Sequence, residues 1–317
     1  MADTAISIIF DRPFPPDLDD SINQSNTDVI LETTFRDGSK LVLDSDVHSV
    51  SSIVEKRALP PSPIRRHYHN DWLLFDYQED GTSSASVSVS WHRDDPTDYL
   101  AGGYWMHLHG DFATDSIENA EVEAFVYGPE LSNAPDMPTI GSATYRGHAA
   151  GLYTFSYGPM WKPLDPRIDD GDKATGEYSG VMTLATDFSA GTVRGCIGCD
   201  QNLETTEILV DADGNRSEIY TSLSLASIKF GTTPINSDGT FTGHNLEVVI
   251  GGRAVPFHVP VSNVQGSWGG RFSGVPAFDG SGDPRLVAGT TGAQFILEDG
   301  SQGEFVGYFF APKVIAR

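Results

Sequence analysis

The chain has 317 residues, enough for one large or two ordinary domains, with 39% hydrophobic residues, 33 glycines and 19 prolines. Its 44 acidic against 20 basic side chains leave a formal net charge of −24, which repels a phosphate backbone and argues against nucleic acid and simple adhesion to an anionic membrane. No apolar run reaches membrane-spanning length, and residues 1–10 carry neither the basic region of a signal peptide nor a lipobox cysteine.

Residues 11–28 are rich in Pro, Asp and Asn and are expected to be an irregular lead-in. Strand signals over 29–35 and 40–44 flank Asp37-Gly38, which predicts a hairpin. Pro60, Pro61 and Pro63 break any regular element in 45–66. Strands are then predicted at 72–77, 85–91, 100–109 and 122–127, the second with clean alternation. Residues 128–140 hold three prolines and read as a linker. The domain plan is therefore a lead-in (1–28), a β-rich domain (29–140) and a second β domain (141–317).

In the second half, 141–147 continues into 149–155 as strand, and a long polar loop follows over 158–174. The segment 176–188 is joined through Ser189-Ala190-Gly191 to 192–198 as a hairpin, and further strands are predicted at 219–230, 240–250, 266–274, 286–297 and 303–310. Aromatic-x-Gly units recur: Tyr145-Arg146-Gly147, Tyr178-Ser179-Gly180, Phe241-Thr242-Gly243, Phe272-Ser273-Gly274 and Phe305-Val306-Gly307. Glycine inside a strand marks a bend or a close approach, and aromatic rings cover the bare backbone it leaves. The units keep no fixed period, so a solenoid is excluded. The expected fold class is all-β: an up-and-down antiparallel barrel of about eight or nine strands, with a sandwich as the alternative.

The segments Gly141-Ser-Ala-Thr-Tyr-Arg-Gly147, Leu184-Ala-Thr-Asp-Phe188 with its hairpin to Gly195, Gly266-Ser-Trp-Gly-Gly-Arg-Phe-Ser-Gly274, Gly289-Thr-Thr-Gly-Ala-Gln-Phe295 and Gly303-Glu-Phe-Val-Gly307 occur in an order that resembles the barrel domain of the transferrin-binding protein B family. That barrel is shared with factor H binding protein and with hemophilin. The region around residues 98–105 and 123–130 is similar to the handle that precedes the barrel. The resemblance implies an eight-stranded barrel with a β-rich handle, in a protein exported to the surface of a Gram-negative bacterium or beyond it. It also implies non-enzymatic binding of host iron proteins, haem or complement regulators through variable loops, so no binding residue is carried over.

Among candidate sites the histidines lead. His67-Tyr68-His69 and His107-Leu108-His109 are both H-x-H, and on a strand both side chains of such a pair face one way. Two pairs on neighbouring strands suit a zinc or copper site or haem axial ligands; half-exposed surface histidines are the plain alternative. Cys196-Ile197-Gly198-Cys199 suits a structural disulfide at the barrel rim, two free thiols, a redox pair or half a zinc site. It follows a β-hairpin instead of opening a helix, which favours the disulfide. Asp211-Ala212-Asp213-Gly214 and Asp169-Asp170-Gly171-Asp172 lack a full calcium ligand set and read as acidic turns. No motif for nucleophilic, metalloprotease or nucleotide chemistry is present, so an enzyme is not expected.

The sequence thus points to a two-part, all-β binding protein. Its partner is a protein or small ligand, and folding requires no cofactor, with haem or zinc as candidate cargo. A structural component of a surface or extracellular assembly is the second reading, and a carbohydrate-active enzyme the third.

Overall fold

The computed structural model describes residues 7–10, 29–34, 40–44, 70–78, 83–92, 101–111, 116–127, 137–159, 170–201, 203–210, 216–218, 224–251, 259–261, 263–273, 276–277 and 279–315. Every described regular element is a β-strand, and every pairing is antiparallel. The first sheet is a three-stranded meander of β1 (Ser7–Phe10), β2 (Val29–Thr34) and β3 (Lys40–Asp44). Thr34 pairs with Lys40 as in the predicted hairpin, and Asp37-Gly38 lies outside the described residues. The second is a four-stranded meander of β4 (Asn70–Gln78), β5 (Ser83–His92), β6 (Ala101–Asp111) and β7 (Ser116–Tyr127). The lead-in 11–28 and most of the proposed linker, 128–136, lie outside the described residues.

The third sheet holds the remaining strands: β8 (Ser142–Ser156), β9 (Lys173–Asp187), β10 (Thr192–Ile197), β11 (Glu204–Val210), β12 (Arg216–Glu218), β13 (Ser224–Pro234), β14 (Thr240–Gly243), β15 (Leu246–Gly251), β16 (Val259–Pro260), β17 (Asn263–Phe272), β18 (Leu286–Ile296) and β19 (Gln302–Pro312). Its order is β14-β17-β18-β19-β8-β9-β10-β13-β15-β16, with the β11–β12 hairpin on β9. The chain's last long strand, β19, lies beside β8, the sheet's first, in register from Gln302↔Ser156 to Phe310↔His148. The sheet is curled, and its inward residues meet in one core.

β1 lies within the expected irregular lead-in, and two further differences from the sequence expectation bear on the path of the third sheet. The predicted strand 240–250 is two strands, because the chain changes partner at His244-Asn245: β14 pairs with β17 and β15 with β13. The segment 204–210 is also a strand; its acidic start and lack of alternation hid it. β11 extends the β9 edge beyond β10, pairing Glu204 with Ser179.

Glycines let the sheet curl around aromatic rings. In one cross-strand row Tyr178 of β9 faces Gly151 of β8, which faces Gly307 of β19. A Cβ at Gly307 would fall on Tyr178 Oη and lie 2.5 Å from the Ala150 carbonyl oxygen, so the tyrosine lies across two strands only because both neighbours are glycine. The same device recurs at Gly303, flanked in register by Phe155 and Phe295, whose rings stack with centroids 6.0 Å apart. Further along the core Trp268 stacks on Phe230 at 4.7 Å and meets Phe241 at 5.2 Å, and Phe272 joins Phe241 to Tyr145. Each ring fully removed from water contributes about 1.5–3 kcal/mol.

The outer face is buried over one patch. Ala150 of β8, Leu286 and Ala288 of β18, and Tyr308 and Phe310 of β19 cluster with Tyr104 of β6, and Ala124 and Val126 of β7 pack against them. The second sheet therefore sits on the outside of the curled sheet. This explains the unbroken aromatic run at 308–310. Phe309 belongs to the inner core, while Tyr308 and Phe310 belong to the outer cluster.

Candidate functional site

Alternation along each strand divides the curled sheet into an interior and an exterior, and only an interior with space left in it can hold a small ligand. Here the rings above fill it. A pocket between Tyr153, Phe155, Leu225, Ile250, Phe295 and Phe305 has a volume of about 10 Å³, room for about one water. The Tyr178 hydroxyl is held far above the usual phenol range by burial, so it stays protonated and offers no charge there. The described interior works as a packed core.

Candidate contact chemistry therefore lies on the outside and at the ends. Of the predicted histidines, His67 and His69 lie outside the described residues. His107 and His109 fall on β6, with backbones opposite Ala85 and Ser83 of β5 and Glu121 and Asn119 of β7. Asn70, directly after His69, opens β4 opposite His92. Along β5, His92 stands seven and nine residues from Ala85 and Ser83, about 23–30 Å at the strand rise. The register thus sets the start of β4 and the His107–His109 segment at opposite ends of the sheet. Among the described residues no group of three or more His, Cys, Asp or Glu side chains is arranged to hold a metal ion.

Cys196 and Cys199 are joined by a disulfide, with Cα atoms 5.9 Å apart. The bond lies at a break in the strand, opposite the middle of β9, and not at a rim. Ile197 pairs with Met182, and the next pair is Glu204 with Ser179. Seven residues thus advance against three of β9, which leaves four extra residues in an excursion, and the disulfide ties its root. Gly198 turns the chain with φ of +79° and donates its N–H to the Val181 carbonyl. Asp200 reaches over the outer face to accept from Arg146 of β8 and Thr183 of β9. Leu203 then dives back into the core over Gly180. Of the candidate calcium turns, 211–215 and Asp169 lie outside the described residues, and Gly171 and Asp172 close the connection from β8 by backbone bonds with Tyr157.

One part-exposed charged cluster was not anticipated. The loop between β17 and β18 carries Asp279, Ser281 and Asp283, and all three converge on Lys313 just past β19. Lys313 Nζ donates to Asp279 Oδ2 at 2.7 Å and to Ser281 Oγ at 2.7 Å, and lies 2.6 Å from Asp283 Oδ2. Its three N–H bonds are thereby used, at a side chain 8% exposed. The hydrogen bonds from Lys313 and then Ser281 hold Asp279 well below the usual carboxylate range. For Lys313, burial pulls the pKa down, but the bonds to Asp279 and Asp283 outweigh it and the net shift is upward. Beside it the Tyr145 hydroxyl donates to the Pro284 carbonyl at 2.9 Å. Burial, and then the charges of Asp283 and Asp279, push that phenol far up. The Asp-x-Ser-x-Asp spacing was visible in the sequence, but its partner lies thirty residues downstream of Asp283.

No described helix is long and apolar enough to cross a membrane. No family model matches the chain, and no curated protein matches it either.

Proposed function

We propose that the chain is a non-enzymatic, exported ligand-binding protein of the transferrin-binding-protein-like type, in which a β-barrel is the scaffold and the handle-like sheet and loops make the contact. On this reading eight strand positions circle the barrel: β8, β9, β10, β13, β15, β17, β18 and β19. β14 is the seam, since Phe241 pairs with Gly270 of β17 and also bridges to Ile235 at the end of β13. The four-stranded sheet is the handle.

One observation carries the reading: the inner face is filled by rings laid over glycines, whereas the outer face holds a second sheet. A filled interior leaves recognition to exposed strands and connections, which is how a rigid scaffold with variable loops works. The Cys196–Cys199 disulfide supports export, because such bonds persist in oxidising compartments. In the sharper form of the proposal the cargo is haem or a metal ion, with His67, His69, His107 and His109 as the candidate ligands.

The test is native mass spectrometry of the protein purified from its own host, followed by titration of the apo form with haemin, zinc and copper. A stoichiometric adduct, or a Soret shift on adding haemin, is expected. A self-assembled polymer that carries no adduct would replace this reading with a structural role.

A further inference from the structure

We propose that the Cys196–Cys199 disulfide is an exchangeable staple whose reduction by an external dithiol releases the excursion at 198–203 while the rest of the curled sheet stays folded. Two observations converge on it. The bond closes a ring at the one place where the chain gains four residues against β9, so it holds a local detour and joins no distant parts of the fold. Cys199 is exposed and Cys196 half-buried, so an attacking thiolate has access to one sulfur and the other is placed to leave. Lys229, directly across from Cys196 on β13, is paired with Glu247, so the cysteine pair is flanked on that side by an ion pair already satisfied.

What the staple controls follows from the contacts beyond it. With the ring closed, Asp200 is held against Arg146 and Thr183, and Leu203 packs over Gly180 and Gly198. Among the described residues, the backbone ties of the excursion are Gly198 N–H to the Val181 carbonyl and Leu203 N–H to the Ala226 carbonyl. With the ring open, these bonds and Asp200's exposed contacts are what still hold a glycine-turned segment, and Leu203 loosens from the core. The pair opens no helix, so it lacks the thiolate-stabilising dipole of a redox enzyme and acts as a substrate of the dithiol.

The step balances as a two-electron exchange. One thiolate of the dithiol attacks Cys199 Sγ, the S–S bond breaks, and Cys196 leaves as a thiolate that takes up a proton. The second thiol of the reductant then displaces Cys199, giving two protein thiols and one oxidised cyclic disulfide.

The experiment treats the folded full-length chain with dithiothreitol without denaturant, traps thiols with iodoacetamide, and follows amide exchange. Both cysteines should become alkylated, the Gly198 and Leu203 amides should exchange at least tenfold faster, and exchange in β17, β18 and β19 should stay unchanged. Reoxidation should restore the original rates. The Cys196→Ser/Cys199→Ser double variant should show the fast rates with or without dithiothreitol. Resistance to reduction in the folded state, unchanged exchange at 198–203 after reduction, global unfolding on reduction, or a double variant that does not fold would each overturn the proposal.

Discussion

The inner and outer faces of the curled sheet are both buried around β19, yet by different means. Inside, glycine removes a side chain so that a ring from a neighbouring strand can lie flat on the backbone, as Tyr178 does over Gly151 and Gly307. Outside, Tyr308 and Phe310 keep their rings and another sheet comes to cover them. The inner device holds one sheet in its curl. The outer one attaches a second body to it. Loss of an inner ring should therefore cost the whole sheet, and loss of an outer ring should cost the attachment.

The largest effect is expected from Trp268→Ala, which empties the centre of the ring cluster between Phe230 and Phe241. A loss of about 3–5 kcal/mol in denaturant unfolding is expected; a loss under about 1 kcal/mol would mean that the interior is not packed as described. Gly307→Ala comes next. Its Cβ meets both a buried ring and the Ala150 carbonyl, and because the carbonyl cannot swing away a loss of about 1–3 kcal/mol is expected. Gly292→Ala is the control on the neighbouring strand, where the nearest atom to a Cβ stands 3.3 Å away, and it should cost clearly less.

Lys313→Ala tests whether the end of the sheet is held as firmly as its middle. It leaves Asp279 and Asp283 without their shared cation. Because the folded Asp279 carboxyl is depressed, its contribution is fully present above the ordinary Asp value of about 3.9 and is lost as pH falls below that toward the folded value. Thermal melts from pH 6 down to 2 should show the wild type losing stability below about pH 4. The variant should start lower and fall less steeply, and parallel curves would dissociate the clasp from acid stability. The smallest effect is expected at Arg146→Ala. Its pair with Asp200 is well exposed on both sides, so about 0–1 kcal/mol is expected in the same melts.

Much of the fold was legible because alternation and turn residues are local. The hairpin from β9 to β10 through Ser189-Ala190-Gly191 is written in adjacent residues, and so is the pairing of β2 with β3. The aromatic-x-Gly units told of curvature, since only a bent sheet needs bare backbone under its rings. What was illegible depends on partners distant in sequence. The run Tyr308-Phe309-Phe310 looks uniformly apolar, and nothing local says that two of its rings serve a different body from the third. His244-Asn245 gives no sign that the chain trades β17 for β13. The same limit governs the candidate sites. Cys196 and Cys199 were legible as a pair, but their place in mid-sheet depends on the register with β9. The H-x-H motifs were legible as pairs, yet only the register of β6 shows where His107 and His109 fall, opposite Ala85 and Ser83 of β5. Lys313 gave no signal at all, because a lone lysine has no periodicity.

The division of labour between the faces is tested most directly by strand-resolved hydrogen exchange on Phe310→Ala. This change removes a fully buried ring from the outer cluster while leaving Phe305, Gly307 and Phe309 in place. The account predicts faster exchange in β6 and β7 with wild-type rates retained in β8, β9, β17 and β18. Equal acceleration throughout the curled sheet, or no change in β6 and β7, would contradict it.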